Sequence, residues 1–217
     1  WYHDYALTQM YGAHSGVPTF LINQHPIDNI TDANAYIKRI ELSGRYLEKV
    51  LENTRESARR GIRPPKFVYG HVISTSKNII SGFPFEKSEG LNLVYDDFNK
   101  KISELNLPKE VSENLNKQVQ NALLSSFKPA YILLINEMLI QQRQTTEDDG
   151  VWKLPRGNEY YASRLKAMTT TELSAKEIHQ IGLDEVDRIH EEMRVIMSKV
   201  GFESNLQDFF KYLKNIP

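Results

Sequence analysis

The sequence predicts an all-α fold, an array of long amphipathic helices with little or no strand. Three observations carry this. Ala33, Ile37, Ile40, Gly44, Leu47, Leu51, Thr54 and Ala58 recur at alternating steps of four and three, a heptad-like seam. Ile178, Ile181, Val186, Ile189, Met193, Ile196 and Val200 recur mostly at the same steps, one apolar face of a second long helix. No segment shows the strict apolar–polar alternation of a half-buried strand.

In chain order, residues 1–30 read as irregular. His14-Ser15-Gly16-Val17-Pro18 and His25-Pro26 are loop signals, because proline fixes its own backbone and restricts its predecessor. Thr19-Phe20-Leu21-Ile22 between them suits a short strand or a helix start equally. The first long helix is expected over 31–60, roughly 40 Å at about 1.5 Å per residue. Gly44 costs it about 1 kcal/mol relative to alanine, which points to a close helix crossing there. Arg59, Arg60 and Gly61 form its end, and Pro64-Pro65 stop any continuation.

A helix over 66–80 follows, with Phe67, Val68, Val72, Ile73, Ile79 and Ile80 on its apolar side. Gly82-Phe83-Pro84-Phe85 ends it, and residues 86–90 form a polar loop. Residues 93–105 suit a short helix with Phe98 and Ile102 inward. Pro108 fits the opening turn of the next, whose inner side is Val111, Leu115, Val119, Leu123 and Phe127. Pro129 should kink that helix. Beyond it residues 130–135 are apolar all round, which predicts burial on several sides. Residues 145–150, with Glu147-Asp148-Asp149, read as a solvated turn.

The stretch from Trp152 to Val200 organises the rest. Pro155 and Gly157 break the chain before a helix over 158–168, and Thr169-Thr170-Thr171 break it again. Ser174 and Glu177 have the spacing of a capping box before the helix over 176–199, which Gly201 ends. Ser204-Asn205-Leu206-Gln207 has the same spacing and opens a last helix carrying Leu206, Phe209, Phe210 and Leu213. No repeat or composition shift divides the chain, so residues 1–217 are expected to form a single helical domain.

Composition excludes several classes. The chain has 217 residues, of which 25% are charged and 40% hydrophobic, enough for a core without covalent staples. Its net charge of -1 argues against nucleic acid as a main partner. It has no cysteine, so disulfides, thiolate metal sites and cysteine nucleophiles are excluded. The longest wholly apolar run, residues 130–135, is too short to span a bilayer, so no membrane-spanning segment is expected. The chain starts at Trp1 with no charged and apolar leader pattern, as it would if a signal had been removed before residue 1.

Several of these residues also carry a family resemblance. Leu154-Pro155-Arg156-Gly157, Tyr160-Tyr161, Thr169 to Thr171, Glu177-Ile178-His179-Gln180-Ile181-Gly182-Leu183 and Glu185-Val186 resemble the bacterial family named domain of unknown function 885, a zincin-like metallopeptidase group. Ala58-Arg59-Arg60-Gly61-Ile62-Arg63-Pro64-Pro65 is a second match, in the family's order. The resemblance implies a zinc motif of the H-E-x-x-H type in a C-terminal part that lies beyond these residues. Zinc is therefore expected in that missing part and no cofactor in this fragment. By itself the fragment is expected to be inactive. The family also implies export to the bacterial cell envelope or periplasm, often as a lipoprotein.

Local chemistry agrees with a segment that lacks its own catalytic centre. His190-Glu191 begins like a zinc helix, but position 194 is Arg instead of a second histidine. His179 lies eleven residues upstream, about 16 Å along the axis, too far to share a metal. His3, His14, His25 and His71 have no ligand spacing, so no metal site is assigned. Arg55, Arg59, Arg60, Arg63 and Lys66 could grip an anion, but read first as a solvated helix end. There is no Walker loop, dinucleotide fingerprint or G-x-S-x-G. No catalytic residue is assigned.

The candidate substrate-binding residues are Arg156, Tyr160 and Tyr161, where a glycine turn opening a helix offers amide donors beside aromatic faces. A tight turn with core aromatics explains the same residues. Two functions are expected: the N-terminal helical region of a zinc-dependent peptidase lining its substrate cleft, or a non-catalytic helical binding module. A complete small enzyme of another class would need a site that no motif supplies. The partner implied by the first reading is a peptide substrate of the full-length protein; the oligomeric state is open.

Overall fold

A computed structural model describes residues 5–87 and 90–215. The described residues form nine α-helices and no strand, with isolated bridges at Leu7–Gly12 and Phe83–Leu91. The fold is all-α. Contacts gather into two compact units, Trp1–Gly157 and Asn158–Pro217.

The first unit is built on α2 (Ile30–Arg59), capped by the Asn29 side chain and ended by Gly61 at φ 77°. The Ile62 amide reaches back to the Ser57 carbonyl and the Gly61 amide to Ala58, the paired bonds of a Schellman end. Its buried face is Ala33, Tyr36, Ile37, Ile40, Ser43, Gly44, Leu47, Leu51 and Ala58, the seam that the spacing predicts. Against it pack α5 (Lys109–Ala122) and α6 (Lys128–Gln144), and α3 (Lys66–Ile79) packs on α6.

The amino-terminal region is not irregular. Ala13–Gln24 forms α1 with Pro18 inside it. Proline has no N–H for the carbonyl four residues back, His14. That carbonyl accepts instead from the buried Tyr131 hydroxyl, at 2.5 Å. A partner 117 residues away thus compensates the local helix breaker. α4 (Leu93–Ser103) closes the other side with Val94, Tyr95, Phe98 and Ile102 buried. Its Lys101 ammonium donates to the Leu21, Ile22 and His25 carbonyls at 2.9–3.0 Å, holding the open end of α1.

α5 and α6 are joined by a π-helical turn over Leu123–Phe127. Pro129 sits at the start of α6, directly after it, so the irregularity that the proline imposes takes the form of a π-turn. The turn places Ser126 against Gly44, and its hydroxyl donates to the Glu41 carbonyl at 2.6 Å. Phe127 stacks between Phe85 and Tyr131. Residues 130–135 are not buried all round: Ala130, Tyr131, Leu134 and Ile135 face the core, whereas Ile132 and Leu133 are exposed. The joined helix over Lys109–Gln144 is long and apolar enough to cross a membrane by length and composition. In the first unit, Leu115, Val119, Leu123, Phe127, Tyr131 and Leu134 on it belong to the core.

The second unit contains α8 (Ala175–Lys199) and α9 (Leu206–Lys214), with α7 (Gly157–Thr169) leading into it. The capping box of α8 forms: the Glu177 amide donates to the Ser174 hydroxyl oxygen, and the Ser174 amide to the Glu177 carboxylate. Gly201 ends it in a second Schellman turn, Phe202 amide to Met197 carbonyl. The cap of α9 is Asn205, whose side chain accepts from the Asp208 amide, and not the Ser204–Gln207 pair that the spacing suggests. Ser204 bonds the Asp208 carboxylate instead. Phe202, Phe209 and Tyr212 cluster at the corner, with Met197 and Phe209 buried.

The apolar face predicted for α8 is present and exposed. Ile181, Val186, Ile189, Ile196 and Val200 remain between 42% and 63% exposed, and Met197 is the one buried residue of the helix. The periodicity is that of a buried face, with no cover among the described residues of this unit.

Candidate functional site

The Leu154–Gly157 turn follows a single 3-10 turn at Val151–Lys153. Leu154 is buried and anchors it, and the Gly157 amide closes it on the Leu154 carbonyl at 2.9 Å. A Cβ at Gly157 would lie 2.0 Å from the Val151 carbonyl oxygen, so only glycine fits. Lys153 donates to the Pro64 carbonyl at 3.1 Å, and partial burial lowers its pKa from the ordinary lysine value. Arg156 is exposed and holds φ 56°, the left-handed region that costs a non-glycine residue about 1 kcal/mol. The turn chemistry predicted from Pro155 and Gly157 is present.

The tyrosines stand in the first turns of α7. Tyr160 is half-buried and Tyr161 exposed. Tyr161, Asn158, Ala162 and Leu165 form one wall of a cavity of about 280 Å³, and Leu173, Ser174 and Ala175 form the other. Tyr160 is absent from its lining. Arg156 belongs to the first unit and both tyrosines to the second. The cavity presents apolar walls, a phenol and the α8 cap. The Glu177 carboxylate, in the first turn of α8, is held below the ordinary range by bonds from the Ser174 hydroxyl and amide. Such a cavity can bind; the Ser174 hydroxyl on its wall donates to Glu177 at 2.6 Å, a pair engaged in capping α8.

Among the described residues the histidines form no cluster of metal ligands. His14 is buried in α1, His25 is buried at its end, and His71 stacks edge-on against Phe67. His179 and His190 lie on α8, and His3 is outside the described residues. No group of three or more potential metal ligands occurs among the described residues.

The basic cluster is largely neutralised. Arg55 bonds Glu137 at 2.7 Å, Arg59 and Arg60 pair with Glu56, and Lys66 pairs with Glu147. Arg63 reaches the Gln144 side chain at 3.4 Å. The cluster reads as helix-end charge that ties α2 and α3 to α6 and the loop after it, a role fixed by the 137–147 segment and invisible in the local sequence.

The family model described as "Bacterial protein of unknown function (DUF885)" matches residues 2–217. No curated protein matches the chain. The crystal structure of a protein from Colwellia psychrerythraea, described as a "putative lipoprotein", superposes with a TM-score of 0.82 at 26% identity. The match covers 98% of this chain and 36% of that one, so this chain spans about a third of the solved relative. With nearly every residue matched by the family model, the chain belongs to the bacterial DUF885 family of proteins of unknown function.

Proposed function

We propose that the chain is the helical, non-catalytic region of a metal-dependent peptidase of the bacterial envelope. In this reading the metal and its ligands belong to polypeptide outside these residues. Tyr161 and the cavity beside it wall one side of the peptide cleft, the phenol packing on the substrate's apolar side chains. The envelope location rests on the lipoprotein description of the solved relative.

The observation that carries the reading is the exposed face of α8. Isoleucines and valines at helical spacing, capped at both ends by well-formed motifs, make a finished helix in search of a partner surface. The solved relative has nearly two-thirds of its chain beyond the part matched here, ample to supply one.

Ile189→Glu with Ile196→Glu tests it. In the 217-residue chain the pair should leave the melting temperature unchanged and reduce binding of a hydrophobic dye. In a longer family chain containing these residues, the same pair should destabilise the fold and abolish metal-dependent peptide hydrolysis. Tyr161→Ala should lower kcat/KM there about tenfold. Unchanged turnover would remove the cleft assignment.

A further inference from the structure

The first unit holds a second feature, unrelated to the peptidase reading: a groove of about 470 Å³ between α1 and α2. This lies within the range of small-molecule sites. Ala13, Gly16 and Phe20 form one wall; Leu42 and Tyr46 form the other, with Arg39 on the same side. The lining is otherwise almost wholly apolar, and Phe20, Leu42 and Tyr46 are exposed rather than packed.

Arg39 is the exception, and it is positioned. The buried His25 ring has Nδ1 2.8 Å from the Pro26 carbonyl. That fixes the proton on Nδ1 and leaves Nε2 as an acceptor. Arg39 Nη1 donates to this Nε2 at 2.5 Å. The guanidinium also lies over the Phe20 ring, 5.7 Å from its centroid. No carboxylate pairs with Arg39 among the described residues, unlike Arg55, Arg59, Arg60 or Arg188. A cation is thus oriented by a neutral histidine at one end of an apolar trough and has no counter-ion.

Arg39 and Tyr46 are seven residues apart, roughly 10 Å along α2. We propose that the groove binds a medium-chain fatty carboxylate, its head on Arg39 and its unbranched tail, about eight to ten carbons, running between Phe20 and Leu42 towards Tyr46. Charge complementarity selects the head: a carboxylate gains an ion pair with the guanidinium there, and an alcohol of equal length offers one oxygen and no charge. The apolar walls select the tail.

Titration calorimetry with decanoate tests this. The chain should bind one decanoate saturably below about 1 mM. Decanol should bind at least about tenfold more weakly, as should decanoate to Arg39→Gln, with Arg39→Lys intermediate. Gly16 supplies the control that keeps the fold. A Cβ there meets nothing within 4 Å, so Gly16→Leu starts its side chain in open space on the trough wall and favours the helix. It should abolish binding while the melting temperature holds or rises. Absence of saturable binding to the wild-type chain, equal affinity for decanol, or undiminished binding by the Gly16→Leu chain would each overturn the proposal. Tighter binding of a short peptide with an apolar C-terminal residue would overturn it too, replacing the acyl ligand with a chain end.

Discussion

Gly44→Ala should destabilise the first unit, although alanine is the better helix former. Gly44 is buried on α2 where the π-turn crosses it. An added Cβ would lie 2.7 Å from the Ser126 hydroxyl oxygen and 3.3 Å from the Ser126 carbonyl oxygen. The hydroxyl can rotate away, but only by leaving the Glu41 carbonyl it now bonds at 2.6 Å, a loss of about 1 kcal/mol. The carbonyl belongs to backbone and must move with its turn, an overpacking cost of about 1–3 kcal/mol. Helix propensity returns about 1 kcal/mol. The net expectation is a loss of about 1–3 kcal/mol, read in urea unfolding followed by circular dichroism. A cycle with Ser126→Ala should show the double variant more stable than the sum of the singles. Gly182→Ala, where a Cβ meets nothing, should instead gain up to about 1 kcal/mol. A Gly44→Ala chain as stable as wild type would refute the close crossing.

Tyr131→Phe should cost about 1–3 kcal/mol, because it leaves the His14 carbonyl buried without the partner that Pro18 cannot supply. A melting temperature within error of wild type would show that water or another donor serves that carbonyl. His14 itself should give the fold an acid dependence. Burial lowers its pKa below 6.5, so the unfolded chain binds the proton more readily. Stability fully present above about pH 6.5 should fall as pH drops towards the folded value, and His14→Gln should flatten that slope between pH 7 and pH 5. Ser174→Ala should cost α8 about 1 kcal/mol and raise amide exchange in its first turn, with no effect on exchange within α2.

The sequence revealed those elements whose determinants are local or periodic. The α2 seam was legible because both of its inner edges are buried, and its glycine end because Gly61 takes a φ that other residues resist. α1 was hidden because its breakers are local and their compensation is distant: Pro18 in a helix makes sense only with Tyr131 beside His14. The α9 cap shifted by one residue because Asn205 and Ser204 are both good caps, and Asp208 decides between them. On α8 the periodicity marked an apolar face correctly, but a pattern does not say what covers it. In the candidate site, Pro155 and Gly157 announced the turn around Arg156. The cavity beside Tyr161 did not show, since its second wall comes from 173–175 across the threonine break. Arg39 escaped notice for the same reason: its meaning depends on which face of α1 lies opposite.

The most direct test of the proposed role is zinc stoichiometry by elemental mass spectrometry, on the 217-residue chain and on a longer family chain that contains it, both stripped and reloaded. The expected result is no tight zinc on the first and one per chain on the second. One tight zinc on the 217-residue chain would mean that its scattered histidines converge, and none on the longer chain would remove the metallopeptidase reading altogether.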